Sequence, residues 1–215
     1  MRILILSFLF CLQALAVERP TAAEYVQSHS EIFQPDHPEV LTQLRKEVGD
    51  DFAKEVMDYF MKEVVVQNRT CESFIGNCDF YLCQELKNPC GLEGYNLGFG
   101  YKYCSRSKFK LIDEMKTNLG KQWVPKTFQC LQKRSLESSL AIQQQEDLQK
   151  DVCKSIRKLA FNSHPDCYVE AGYCELSISE KANIVDLIFF SAFKPSSIKQ
   201  GLSLNNQCAK KIRGW

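Results

Sequence analysis

The segment SHPDCYVEAGYC, residues 163–174, holds the residue types that could do chemistry. His164 and Asp166 are two positions apart, and Cys167 and Tyr168 follow directly. A histidine can act as a general base that takes a proton from water, and a nearby aspartate can help to bind calcium. The segment is therefore a candidate hydrolytic site, and the alternative is a corner of the fold that disulfides anchor.

Histidine and aspartate occur together on a helix in the secreted phospholipases A2, where an HDxCY motif places them side by side. Here the aspartate comes one position later, and no cysteine precedes the histidine. Pro165 removes a backbone donor and disfavours helical geometry at His164. We therefore interpret the segment as a turn between two helices, in which Asp166 caps the second one. A small secreted calcium-dependent lipid hydrolase using His164 and Asp166 is the alternative function.

Other catalytic or metal-binding patterns are absent from the sequence. Its three histidines, His29, His37 and His164, are not spaced as a zinc-binding pair, and there is no GxSxG nucleophile motif. The glycine-rich run 91–100 lacks the strand and helix start that a phosphate-binding loop needs. We therefore expect no catalytic residue, no metal and no cofactor, and we predict a protein that is not an enzyme.

The first sixteen residues have the pattern of a secretory signal peptide. Arg2 precedes a short apolar run, and Ala14-Leu15-Ala16 is typical of a cleavage site. No later stretch is long and uncharged enough to span a membrane. We expect a soluble secreted protein that begins at Val17, extracellular or, from a bacterial source, periplasmic.

Cysteine usage supports export. Eleven cysteines are present, and removal of residues 1–16 discards Cys11. An even number in an exported chain favours five disulfides without a free thiol. Sequence alone does not choose the pairing. The ten are Cys71, Cys78, Cys83, Cys90, Cys104, Cys130, Cys153, Cys167, Cys174 and Cys208.

Apolar periodicity predicts helices joined by cysteine-bearing turns, with few strand-like patterns. The fold class is therefore all-α: a disulfide-stapled helical domain, residues 71–215, with an N-terminal helical arm, residues 17–70. Within the arm, Gly49 separates two helices. Residues 182–190 are apolar almost all round, which predicts a buried central helix. The other predicted helices are 71–86, 105–117, 119–134, 146–162, one from Ser179 and one from Pro195, and 91–104 is predicted as a turn packed by its own aromatic rings.

Charge is distributed unevenly. The arm, residues 17–70, has a net charge of −5, and residues 102–134 have a net charge of +7. Nucleic-acid binding is not expected for an exported chain with little overall charge. The basic segment is either a solvated helix face neutralised in part by the acidic arm, or a contact for a sulfated polysaccharide or an acidic partner. Asn68 begins the N-x-S/T sequon and would carry a glycan in a eukaryotic secretory pathway.

The order and spacing of the ten cysteines resemble those of the stanniocalcins, which are secreted helical glycoproteins with five intrachain disulfides. The resemblance covers about residues 70–209. Its strongest part is Cys153-x13-Cys167-Tyr168-x5-Cys174, followed by a long helical stretch to Cys208. If the family's order carries over, the resemblance implies the bridges Cys71–Cys83, Cys78–Cys104, Cys90–Cys153, Cys130–Cys167 and Cys174–Cys208.

Two departures from the family matter. The eleventh mature cysteine that links stanniocalcin subunits has no counterpart before Trp215, so we expect any homodimer to be non-covalent. The arm, residues 17–70, is not an obvious part of the family pattern. The resemblance implies a hormone-like extracellular regulator of calcium and phosphate handling, or of secreted proteases, that acts through a protein partner. A structural exported envelope protein whose arm docks another protein is a further alternative.

Overall fold

The computed structural model describes residues 19–31, 33, 40–64, 70–187 and 195–213. These residues form helices and turns without a strand, and five disulfides join them. The predicted all-α, disulfide-stapled fold is confirmed. The signal peptide, residues 1–16, and the sequon at Asn68 lie outside the described residues.

Nine helices are described. They are α1 (Ala22–Ser28), α2 (Val40–Val64), α3 (Asp79–Lys87), α4 (96–114), α5 (Asn118–Gln144), α6 (Glu146–Gln149), α7 (Val152–Ala171), α8 (Ile178–Leu187) and α9 (Pro195–Arg213). Helix α4 is π-helical at Asn96–Tyr101 and Ser107–Leu111 and α-helical at Lys102–Arg106 and Ile112–Glu114. Short 3₁₀ turns lie at Cys71–Phe74 and Tyr173–Glu175.

The arm packs on the cysteine-rich part of the chain. Helix α1 begins with a capping box, in which Thr21 and Glu24 satisfy each other's backbone donors. Helix α2 breaks at Gly49, whose φ of 77° is outside the helical region, so the predicted break there is confirmed. Buried residues of α1 and α2 belong to the same core cluster as those of α3 and α4.

The prediction of one helix over residues 71–86 is wrong. A 3₁₀ turn at Cys71–Phe74 is followed by Gly76, whose φ of 94° is left-handed. The Gly76 backbone N–H donates to Oε1 of Gln132 at 2.6 Å. Glycine tolerates this geometry without strain, so the chain turns here and α3 starts afresh at Asp79.

The glycine-rich run 91–104, predicted as a turn, is helical over much of its length, so that prediction is wrong. A side chain on Gly100 would overlap the ring of Tyr81, so the glycine lets α4 approach α3 closely. The predicted packing of the run's own rings does occur. Tyr95 stacks on Phe99 with ring centroids 5.7 Å apart, and Phe99 lies 4.5 Å from Tyr103.

Residues 188–190 of the predicted buried central helix, 182–190, lie outside the described residues. The described part, which belongs to α8, is not buried on all faces as its composition predicts. Ile178 is 88% exposed and Val185 is 48% exposed. Among its apolar residues only Ile184 is buried, and it packs in a small second core cluster with Trp123 of α5. The short helix therefore buries one face only, against α4 and the second core cluster.

Candidate functional site

Helix α7 carries residues 163–171 of the segment 163–174, and it runs through Pro165 without a break. Asp151 caps its start, since the Asp151 carboxylate accepts from the Lys154 backbone N–H at 3.0 Å, and Gly172 ends it with a φ of 105°. The predicted turn at residues 163–174 is therefore wrong, and Asp166 caps no helix. Packing of the whole 20-residue helix against α5 outweighs the local cost of a proline.

His164 and Asp166 point away from each other. Residues two apart on a helix do not share a face. The His164 side chain is 2% exposed, whereas Asp166 is exposed and accepts from the Gln207 amide of α9 at 2.7 Å. The structure does not bring the two together as a catalytic pair.

The His164 ring is enclosed by aromatic side chains. Its Nε2 atom lies 3.5 Å from the Tyr95 hydroxyl. The ring centroid lies 5.2 Å from that of Phe161, and those of Phe99 and Tyr168 each lie at 5.7 Å. These neighbours carry no charge at neutral pH, so the imidazole sits in an environment of low polarity that hydrates a charge poorly.

Burial determines the protonation of this cluster. It lowers the pKa of His164 to about 4, because the charged imidazolium would lose its hydration without gaining a counter-ion. Burial likewise raises the pKa of Tyr168 to about 12 and that of Tyr95 well above its usual value. At neutral pH His164 is a neutral imidazole and the two tyrosines are uncharged phenols.

A small cavity borders this cluster, between α4, α5, α7 and α8. Its volume, counted as space open to the centres of water molecules, is about 30 Å³. Rings of Tyr95, Phe99, Trp123 and Tyr168 line most of it. An apolar cavity known to bind benzene has roughly 150 Å³, so this one is too small for a lipid headgroup or a peptide side chain.

Sequence reasoning missed this cluster as a unit. One signal was available, because Tyr95, Phe99 and Tyr103 follow each other at intervals of four and share one face of a helix. Interpreting the run as a turn hid that spacing. Trp123 of α5 gave no local signal. It joins through its indole N–H, which donates to the Tyr168 carbonyl oxygen at 3.1 Å.

A larger cleft of about 550 Å³ lies between α2 and the loop after α3. Met57, Met61 and Leu97, all buried, contribute to its lining. Clefts of roughly 300–1,000 Å³ with apolar lining and a few polar groups are typical of binding sites. Charged and exposed side chains on α2 also border it, namely Lys54, Asp58 and Lys62.

Glu85 fixes the loop wall of the cleft. Its Oε1 accepts from the backbone N–H groups of Cys90 and Gly91 at 2.6 and 2.5 Å, and Asn96 donates to its Oε2 at 3.3 Å. Burial raises the pKa of this carboxyl, and these hydrogen bonds oppose the shift. The site gave no sequence signal, because its residues come from the arm and from the cysteine-rich part.

The five disulfides join Cys71–Cys83, Cys78–Cys104, Cys90–Cys153, Cys130–Cys167 and Cys174–Cys208. These are the same five pairs that the stanniocalcin resemblance implied. Cys130–Cys167 ties α5 to α7, and Cys174–Cys208 ties the last helix to the turn after α7. The unit Cys167-Tyr168-Cys174 is therefore part of the framework, and Tyr168 packs against Trp123 with ring centroids 5.3 Å apart.

The basic segment, residues 102–134, lies on α4 and α5. Lys110 lies 3.7 Å from Glu114 and 4.0 Å from Asp186, and Arg134 pairs with Glu137 at 3.1 Å and with Glu170 at 3.4 Å. These carboxylates come from the cysteine-rich part of the chain, so for these two cations the acidic arm is not the neutralising element.

Comparison with known proteins leaves the family open: no protein-family model, no curated protein and no solved structure matches this chain. Within the described ranges, no group of three or more histidine, cysteine, aspartate or glutamate side chains is arranged to hold a metal ion. None of the described helices has the length and apolar composition needed to cross a membrane.

Proposed function

We propose that this chain is a secreted, non-enzymatic regulatory protein of the stanniocalcin type, which acts by binding an extracellular protein. The observation that carries the proposal is the disulfide pairing. Ten cysteines allow 945 pairings on combinatorial grounds. The arrangement that brings all five pairs within bonding distance is the one that the resemblance implied.

The surroundings of His164 favour binding over hydrolysis. A general base in lipid hydrolysis must activate a water that lies directly beside the bound substrate. His164 is buried among rings, the adjoining cavity is too small for a lipid headgroup, and Asp166 faces α9. These features support the non-enzymatic proposal against the phospholipase-like alternative.

The α2 cleft is the surface on which we place the partner. It has the size of a binding site, and the bonds of Glu85 to Cys90 and Gly91 hold its loop wall in place. Lys54 and Lys62 lie on the exposed side of α2, eight positions apart and so close to one face. A secreted protease presenting an acidic, partly apolar segment is the proposed class of partner.

The disulfide pairing is tested by peptide mapping of residues 17–215 under non-reducing conditions. We expect the five linked peptide pairs named above. Cys167 linked to Cys174 would remove the observation on which the proposal rests.

The activity is tested by titrating the oxidised protein, residues 17–215, against purified secreted zinc metalloproteases. We expect saturable inhibition that is lost after reduction and alkylation. Charge reversal by Lys54→Glu together with Lys62→Glu should weaken inhibition at least tenfold. Lys133→Glu, at an exposed position of α5 that does not line the cleft, should leave inhibition unchanged.

The competing function is tested with phospholipid vesicles and calcium. Hydrolysis by the wild-type protein that His164→Ala abolishes without unfolding the chain would overturn the non-enzymatic proposal. Sedimentation of the same sample measures whether the protein forms the non-covalent homodimer that we also propose.

A further inference from the structure

Two polar atoms at the small cavity beside His164 lack protein partners. Nδ1 of His164 and Oγ1 of Thr127 are both fully enclosed, and neither has a hydrogen-bond partner among the described residues. Each side chain is only 2% exposed, and both residues line the cavity. A buried polar group without a partner loses its hydration and gains nothing in return, so such groups are nearly always satisfied by protein or water.

The two residues come from facing helices. Thr127 lies on α5 and His164 on α7, the two helices that pack most extensively against each other. Ser107 of α4 and Tyr168 of α7 also line the cavity. An internal water typically makes two to four hydrogen bonds to buried polar groups.

The volume of the cavity also fits one water molecule. The space open to water centres is about 30 Å³. A single water needs roughly 10–15 Å³ on that measure, whereas an apolar molecule of benzene size needs several times the space found here. A cavity lined by hydrocarbon alone would stay dry, but Thr127 and His164 line this one, and each has a buried polar atom without a protein partner.

We propose that this cavity is an internal hydration site, in which a bound water bridges Nδ1 of His164 and Oγ1 of Thr127. The water completes the contact between α5 and α7 at the level of the aromatic cluster. It also gives Nδ1 of the buried imidazole a neutral hydrogen-bond partner.

A crystal structure of the oxidised protein, residues 17–215, at a resolution that shows ordered water tests the proposal. We expect a density peak within hydrogen-bond distance of both atoms. A second crystal pressurised with xenon should show no xenon in the cavity. An empty wild-type cavity, or xenon bound in it, would overturn the proposal.

Thr127→Val removes one polar partner and keeps the shape of the side chain. We expect this variant to lose the water peak and to admit xenon, while Thr42→Val on the exposed face of α2 keeps the water and excludes xenon. A water peak of unchanged position and occupancy in Thr127→Val would contradict the bridging role of Thr127.

A solution measurement keeps the test independent of crystals and of the variant's folding. In the wild-type protein, NMR magnetisation transfer from water to the Thr127 methyl protons should be detectable, and transfer to the methyl protons of Ala53, a core residue away from the cavity, should not. Absence of transfer to Thr127 would count against the site.

Discussion

The Glu180 carboxylate of α8 caps the start of α5, where Thr117 lies 63 positions earlier in the chain. Oε1 of Glu180 accepts from the backbone N–H of Thr117 at 2.9 Å and from its hydroxyl at 2.8 Å. Oε2 accepts from the backbone N–H and the hydroxyl of Ser177 at 3.1 and 2.8 Å. One buried carboxylate therefore satisfies donors at the first turns of two helices.

Glu180→Gln should destabilise the protein at neutral pH by about 2 kcal/mol, since hydrogen bonds to a charged acceptor are among the stronger ones. Burial alone would raise the pKa of Glu180, but the bonds from Thr117 and Ser177 outweigh it and lower the pKa from 4.5 to about 2. The native state then binds fewer protons than the unfolded state between pH 4.5 and 2. The stabilisation is present above pH 4.5 and is lost as the pH falls towards 2.

Urea unfolding of the wild type and of Glu180→Gln across this pH range measures the effect. The gap between the two free energies of unfolding should narrow on acidification. The matched control is Glu63→Gln, an exposed carboxylate on α2, which should stay near the wild type at neutral pH. A constant gap from pH 7 to pH 2 would contradict the charged-cap assignment.

Gly120→Ala should destabilise the protein by about 1–3 kcal/mol although alanine is the better helix former. A Cβ atom at this position would overlap Oε1 of Glu180 and force the carboxylate away from Thr117. Gly201→Ala is the matched control, because Gly201 lies in α9 with no atom within 4 Å of the added carbon. Thermal unfolding should show a lower Tm for the first variant and an equal or higher Tm for the second.

Much of the fold followed from local sequence patterns. The break at Gly49 was predictable, because glycine acts on the chain within a few residues. The prediction of a turn at residues 163–174 was wrong. Pro165 has a local cost, but that cost is overridden by packing that only the folded α5–α7 pair supplies.

Three features of the structure depend on contacts that sequence periodicity does not encode. The Glu180 cap joins residues 63 positions apart, so no local motif reveals its second helix. The sequence predicted a buried helix because residues 182–190, from Ala182 onward, are apolar on nearly every side. Burial, however, is decided by which other elements cover each face of the helix. The same reason hid the α2 cleft, whose walls come from two distant segments.

His164→Phe should flatten the acid dependence of stability. Burial lowers the pKa of His164 from 6.5 to about 4, so between these values the unfolded state takes up a proton that the native state does not. Through this residue alone, the free energy of unfolding of the wild type should therefore decrease by about 3 kcal/mol as the pH falls from 6.5 to 4. Phenylalanine does not titrate, and the variant should lack that part of the slope.

Unfolding free energies at several values between pH 7 and pH 4 test this prediction. Phe161→Leu is the control, because it perturbs the same aromatic cluster without removing a titrating group. It should lower stability at all pH values and keep the wild-type slope. Equal slopes in the wild type and His164→Phe would show that the histidine is not held neutral by burial.

Double substitution Cys174→Ser with Cys208→Ser should loosen α9 selectively. This disulfide closes a separation of 34 residues, and constraining a loop of that length contributes about 3–4 kcal/mol in the chain-entropy model. The remaining contacts of α9 include the Gln207–Asp166 bond at 2.7 Å and the Lys211–Glu175 ion pair at 2.8 Å. These pairs are exposed and contribute little on their own.

Hydrogen exchange should therefore speed up in α9 far more than in α5, whereas Gln207→Ala with the disulfide intact should change it only slightly. Unchanged protection of α9 in the double variant would mean that packing on α7, and not the disulfide, holds the last helix.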